Sequence, residues 1–241
     1  MRRRLVVYFP LADPAVPTEL IDLYADAGVD IVECGWPARN PYLDGPDITA
    51  SMARALFGVP AAALRGAHDR LARKSASAKA LVMTYAEPDH PALANRGVFD
   101  GIDGVLVVAA PSDERRAAIE RQPRESGATI SVFTPLPLHP DDEAAARQAD
   151  GYVMLQAAPG LTGPRASLDP ANAARSARLR ASGVAAPILL GFGVSNGEQA
   201  RAAIDLGADG VVVGSAALRA ALIGRAELAA QLKDLRTGLD G

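Results

Sequence analysis

The chain has 241 residues, of which 49% are hydrophobic and 22% charged, with a formal net charge of −3. That balance describes a globular protein with a sizeable core, excludes a disordered chain, and leaves no electrostatic case for nucleic acid. Cys34 is the single cysteine, which excludes an intrachain disulfide and a cysteine-based structural zinc site and makes a cytoplasmic location the simplest expectation.

After the basic start Arg2-Arg3-Arg4, the apolar run LVVYF at 5–9 is too short for a signal sequence or a membrane span. It reads as a first strand. A helical pattern, PTELIDLYADAG, follows, and a second strand is expected at 31–35. Further β-branched runs place strands at 80–85, 104–109, 129–133, 151–156, 187–191 and 210–214. Helical stretches such as SDERRAAIERQ, DDEAAARQA, DPANAARSARLRASG and NGEQARAAIDLG lie between them, several opened by Ser, Asp or Asn caps. Runs such as VLVVAA and VVVG are apolar on both faces, as a parallel sheet covered by helices requires. Eight βα units in a chain of this length predict an α/β protein, a (β/α)8 TIM barrel forming one domain over 1–241. A doubly wound open sheet would carry a Gly-rich turn after its first strand. Here that turn reads Phe9-Pro-Leu-Ala-Asp-Pro14, without glycine.

In a barrel, function belongs at the C-terminal strand ends. Three glycine-bearing turns collect there: Pro159-Gly-Leu-Thr-Gly163, Gly191-Phe-Gly-Val-Ser195, and Gly214-Ser215 at the start of a helix. Together they predict a phosphate pocket, because glycine lets backbone N–H groups approach an anion and a helix start adds its positive end. None of Lys74, Lys79 and Lys233 falls at a strand's C-terminal end, so no Schiff-base nucleophile is expected. His68, His90 and His139 are isolated and expected at surface or loop positions, and no metal or organic cofactor is expected.

Cofactor-free acid–base chemistry remains, with two carboxylates as candidates. Glu33 closes an apolar run and, by alternation, points into the barrel mouth with Ile31. By position it reads either as a catalytic acid or as a strand-end residue that caps a helix or pairs with arginine. Asp44, in Asp44-Gly-Pro46, reads either as a second functional acid or as an ordinary turn residue.

The block ECGWPARNPYLDGP at 33–46 resembles the second-strand segment of the tryptophan synthase α subunit family. So do LADP at 11–14, GYVMLQAAPGLTG at 151–163 and GFGVSNGEQARAAIDLGADGVVVGSA at 191–216. The resemblance implies a lyase that cleaves indole-3-glycerol phosphate to indole and glyceraldehyde 3-phosphate. Glu33 falls on the family's catalytic Glu and Asp44 on its catalytic Asp. The resemblance further implies phosphate binding by Gly163, Gly193, Gly214 and Ser215, and substrate contacts from Tyr8, Tyr85, Tyr152, Thr162 and Phe192. It implies a β subunit as partner.

The chain also departs from the family. Met154 replaces a common tyrosine in strand six, Ala38-Arg39-Asn40 replaces a Phe-Ser-Asp run, and Val108-Ala-Ala-Pro111 lacks an acid. The segment between strands three and four is short and is expected to hold a reduced helix. Trp36 stands at a usually aliphatic position and is read either as reshaping the ring pocket or as core packing. Two alternatives accompany the enzyme reading: a standalone paralogue of a secondary pathway, and a weakly catalytic binding or regulatory subunit.

Overall fold

The computed structural model describes residues 2–163 and 165–241. Its strands are β1 (Arg4–Pro10), β2 (Ile31–Gly35), β3 (Lys79–Tyr85) and β4 (Gly104–Val108), then β5 (Thr129–Thr134), β6 (Val153–Gln156), β7 (Ile188–Gly191) and β8 (Gly210–Val213). They close into a barrel in chain order, every pair parallel, with β8 returning to β1 through Arg4↔Gly210. The strands fall where the sequence pattern places them, with ends moved by two residues at most.

The helices form the outer layer. In the first half these are α1 (Ile21–Asp26), α2 (Pro46–Ala55), α3 (Pro60–Lys74) and α4 (Pro91–Ala94). In the second half they are α5 (Glu114–Glu125), α6 (Pro140–Ala146), α7 (Asn172–Ala181), α8 (Gly197–Asp205), α9 (Ser215–Ile223) and α10 (Arg225–Asp240). Side-chain caps set several starts: Asp113 accepts the Arg115 N–H, and Asn196 accepts the Gln199 N–H. The short α4, followed by one 3₁₀ turn at Arg96–Phe99, is the reduced helix expected between strands three and four.

A repeated device staples the N-terminal face of the barrel. An aspartate precedes each even strand, and its carboxylate accepts a backbone N–H of the preceding odd strand. Asp30 takes Leu5 at 2.8 Å, Asp103 takes Ala80 at 2.8 Å, Asp150 takes Ile130 at 2.5 Å, and Asp209 takes Ile188 at 2.7 Å. Each bond satisfies a donor at the strand entrance and fixes register between neighbours, leaving the opposite face free for loops.

His90 holds the expected loop position, directly before α4, but is buried rather than at the surface. It is 4% exposed, with its ring 5.9 Å from Trp36 and 5.7 Å from Phe99. Its Nε2 lies 2.9 Å from Thr84 Oγ1 and its Nδ1 accepts the Ala92 N–H. Burial lowers its pKa from 6.5 to about 4, so the ring is a neutral packing group. Two aromatic residues from separate loops cover it, which local sequence does not reveal. Among the described residues no helix is long and apolar enough to cross a membrane.

Candidate active site

Glu33, on β2, sits opposite Tyr8 of β1 in register and is 3% exposed. From the far side of the barrel Tyr152, just before β6, donates its phenolic proton to Glu33 Oε1 at 2.5 Å. A phenol, rather than an arginine or a helix terminus, is therefore its partner. Removal from water raises the Glu33 pKa from 4.5 to about 7; the Tyr152 hydrogen bond opposes the rise and the Asp44 charge adds to it. A carboxyl group at that value exchanges protons near neutral pH.

Asp44 reaches the same chamber from the loop after β2. That loop is gripped by the neighbouring strand and its loop: the Trp36 N–H bonds to Met83 O, and Glu87 Oε1 accepts the N–H groups of Arg39 and Asn40, both at 2.8 Å. Tyr85 donates to Asp44 Oδ2 at 2.7 Å and Thr162 to Oδ1 at 3.1 Å. Burial raises the Asp44 pKa from 3.8 to about 6, against the pull of both hydrogen bonds. Thr162 Oγ1 also accepts the Gly45 N–H, and the Thr162 N–H bonds to Leu43 O, so loop six lies across loop two. A Cβ on Gly45 would sit 2.2 Å from Thr162 O, so glycine is what allows the two loops to meet.

Between the carboxylates opens a cavity walled mainly by apolar groups, among them Ile48, Met83, Val108, Phe133 and Met154. A second lobe, lined by Gly163, Gly193, Gly214 and Ser215, lies beside it and shares Thr162, Phe192, Val212 and Gly214 with its walls. Phe192 stacks on Phe133 at 5.4 Å and holds a φ of 68°, a strained value for a residue other than glycine. The second lobe contains the start of α9, whose N-terminal end favours an anion. Ser215 Oγ is buried there with no hydrogen-bond partner among the described residues. Arg219, one turn further along α9, lines the lobe and pairs with Asp47 at 2.6 Å. A lobe built of glycine turns and a helix start thus adjoins an apolar chamber that holds two acids near neutrality.

Of the residues singled out in the sequence, Tyr8, Tyr85, Thr162 and Phe192 stand on the walls with both carboxylates. Tyr152 lies off the cavity wall, against Glu33. Trp36 packs edge-on against Phe99 at 5.2 Å, away from the cavity, whereas Met154 does line it. Met83, Val108 and Phe133 are wall residues that the sequence reading misses, although inward alternation at strand ends is the signal that could find them. Arg219 lies four residues after Ser215 on one helix, a spacing that places both on one face. The Glu87 clamp has no signal in the sequence at all. Among the described residues no group of three or more His, Cys, Asp or Glu is placed to hold a metal ion.

A family profile described as tryptophan synthase alpha chain matches residues 1–237. A relative named tryptophan synthase alpha chain from Pelobacter propionicus is 32% identical over 223 residues, spanning 90% of this chain and 83% of its own. One of the same name from Burkholderia mallei is 35% identical over 243 residues, spanning 95% and 88%. A solved structure of tryptophan synthase from Mycobacterium tuberculosis superposes with a TM-score of 0.81 at 27% identity, covering 99% of this chain and 93% of that one.

Proposed function

Because the chain belongs to the tryptophan synthase alpha chain family, we propose that its two-lobed cavity binds indole-3-glycerol phosphate, with Glu33 and Asp44 as the acid–base pair. The protein is a carbon–carbon lyase that releases indole and glyceraldehyde 3-phosphate. The observation that carries the assignment of roles is the pair of buried carboxylates facing one apolar chamber, beside a lobe of glycine turns at the start of α9.

The indole ring occupies the apolar chamber, with its N–H on Asp44 and C3 toward Glu33. The phosphate occupies the lobe made by Gly163, Gly193, Gly214 and the Ser215 hydroxyl, which has no partner among the described residues. Protonated Glu33 gives its proton to C3, and ionised Asp44 stabilises the positive charge that develops on the ring nitrogen. The Glu33 carboxylate then takes the proton of the chain hydroxyl next to the ring. The carbon–carbon bond breaks, its electron pair returns to the ring, and the aldehyde leaves. Tyr152 holds Glu33 in place through both steps by donating to Oε1. A β subunit is the proposed partner, on the strength of the family; gel filtration with a cognate β subunit tests it, and separate elution of the two chains argues against it.

Purified protein is expected to release indole from indole-3-glycerol phosphate. Absence of indole, both alone and with a β subunit, would overturn the assignment. Thr162→Val removes the hydroxyl that bridges Asp44 and Gly45 and is expected to lower kcat/KM by roughly ten- to a hundredfold, since one bond runs to a charged group. The melting temperature should change little. Steady-state kinetics and a thermal melt check both; unchanged kinetics would show that the loop contact does not support catalysis.

A further inference from the structure

Tyr8 carries a polar group that no protein contact explains. Its hydroxyl is fully buried and has no hydrogen-bond partner among the described residues, although its ring stands on the cavity wall. A buried hydroxyl left without a partner costs roughly 1–3 kcal/mol. The ring's position is tightly defined. Its Cβ lies 4.0 Å from where a side chain on Gly214 would begin, and its hydroxyl 2.4 Å from the corresponding point on Gly35. The phenol therefore runs along the wall from the anion lobe, to which Gly214 belongs, toward the end of β2 that carries Glu33. Thr162, Phe192, Val212 and Gly214 line both lobes, and Tyr8, whose Cβ lies beside Gly214, stands on the ring-lobe side of that junction.

With indole-3-glycerol phosphate as substrate, the remaining polar groups have assigned partners. Asp44 takes the ring N–H, Glu33 takes C3 and the adjacent hydroxyl, and Ser215 with the glycine turns takes the phosphate. One hydroxyl of the glyceryl chain is left over, and on the ring-lobe wall the Tyr8 hydroxyl is left without a partner among the described residues. We propose that Tyr8 is a specificity-determining residue whose phenol hydrogen-bonds a hydroxyl of the substrate's three-carbon chain. The inference rests on the indole-3-glycerol phosphate reading. It assigns to this side chain recognition of the chain hydroxyl that Glu33 does not take. The phenol works as a neutral donor or acceptor: burial, then the charges of Asp44 and Glu33, hold its pKa well above the usual value.

The test compares wild type with Tyr8→Phe, which keeps the packing volume, using two ligands. One is indole-3-glycerol phosphate; the other is indolylpropyl phosphate, with the same ring and phosphate on a chain lacking hydroxyls. Tyr8→Phe is expected to lose about tenfold in kcat/KM for the first, as one neutral hydrogen bond implies, and to bind the second with unchanged Kd. If wild type shows no turnover, the dissociation constant of indole-3-glycerol phosphate replaces kcat/KM and the same ratio is expected, so the two readings fail separately. Equal kcat/KM in the two proteins would overturn the proposal, and so would equal losses with both ligands, which would mark a packing or ring contact.

Discussion

Glu33→Gln is expected to lower kcat for indole release by roughly 10²–10⁴-fold with little change in KM, the usual worth of a positioned general acid–base group. Glutamine fills the same space, and its amide oxygen still accepts the Tyr152 hydroxyl now bound to Oε1. Only the transferable proton is lost. The same substitution should stabilise the fold at alkaline pH. Burial raises the pKa from 4.5 to about 7, so wild type carries no penalty below about pH 4.5, where the group is neutral folded or unfolded. Between about pH 4.5 and 7 the unfolded chain ionises while the folded protein keeps the proton, so the penalty builds to about 3 kcal/mol, complete above pH 7, and glutamine avoids it. Denaturant titrations at pH 5 and pH 8 should therefore show the variant's advantage growing with pH. An active variant, or an advantage largest at low pH, would exclude Glu33 as the general acid–base group.

Asp44→Asn should lower kcat/KM by about a hundredfold or more, because a neutral amide cannot stabilise the positive charge on the ring nitrogen in a chamber that excludes water. Its effect on loop geometry is smaller. Asp44 accepts one bond on each oxygen, from Tyr85 and from Thr162. Asparagine keeps one acceptor, and the Thr162 hydroxyl can rotate to accept from the amide. The pH profile separates charge from geometry. Asp44 has a pKa of about 6 and is needed ionised, so wild-type kcat/KM should fall as the pH drops through 6, and the variant should lack that limb. Rates measured from pH 5 to 9 check this; a limb persisting in Asp44→Asn would assign it to another group.

The barrel is readable from the sequence because its determinants are local. Two-sided apolar runs mark covered parallel strands, helix caps mark the connections, and alternation along β2 turns Glu33 inward with Ile31. The glycine turns that gather at the anion lobe belong to the same class, since each can be recognised within a few residues. Asp44 shows where that reasoning stops. In Asp44-Gly45-Pro46 an ordinary turn is an equal reading, and the resemblance to a family, rather than the pattern, marks the aspartate out. Its burial depends on Tyr85 from β3, on Thr162 from loop six, and on a glycine that lets two loops meet. Trp36 is undecided by sequence and the burial of His90 unforeseen for the same reason: the groups that enclose them come from distant segments.

By itself the sequence determined the eight strands, their order, the end of the barrel that carries the loops, and the direction in which Glu33 points. Desolvation of Glu33 follows from its strand-end place; tertiary structure alone decided that Asp44 is desolvated too, that Tyr152 holds Glu33, and that the Tyr8 hydroxyl is left without a partner among the described residues. Backbone periodicity sets where a side chain is aimed within a few residues. Its solvation, and hence its pKa and its chemistry, is set by everything that closes around it, which for Thr162 and Asp44 spans a separation of 118 residues.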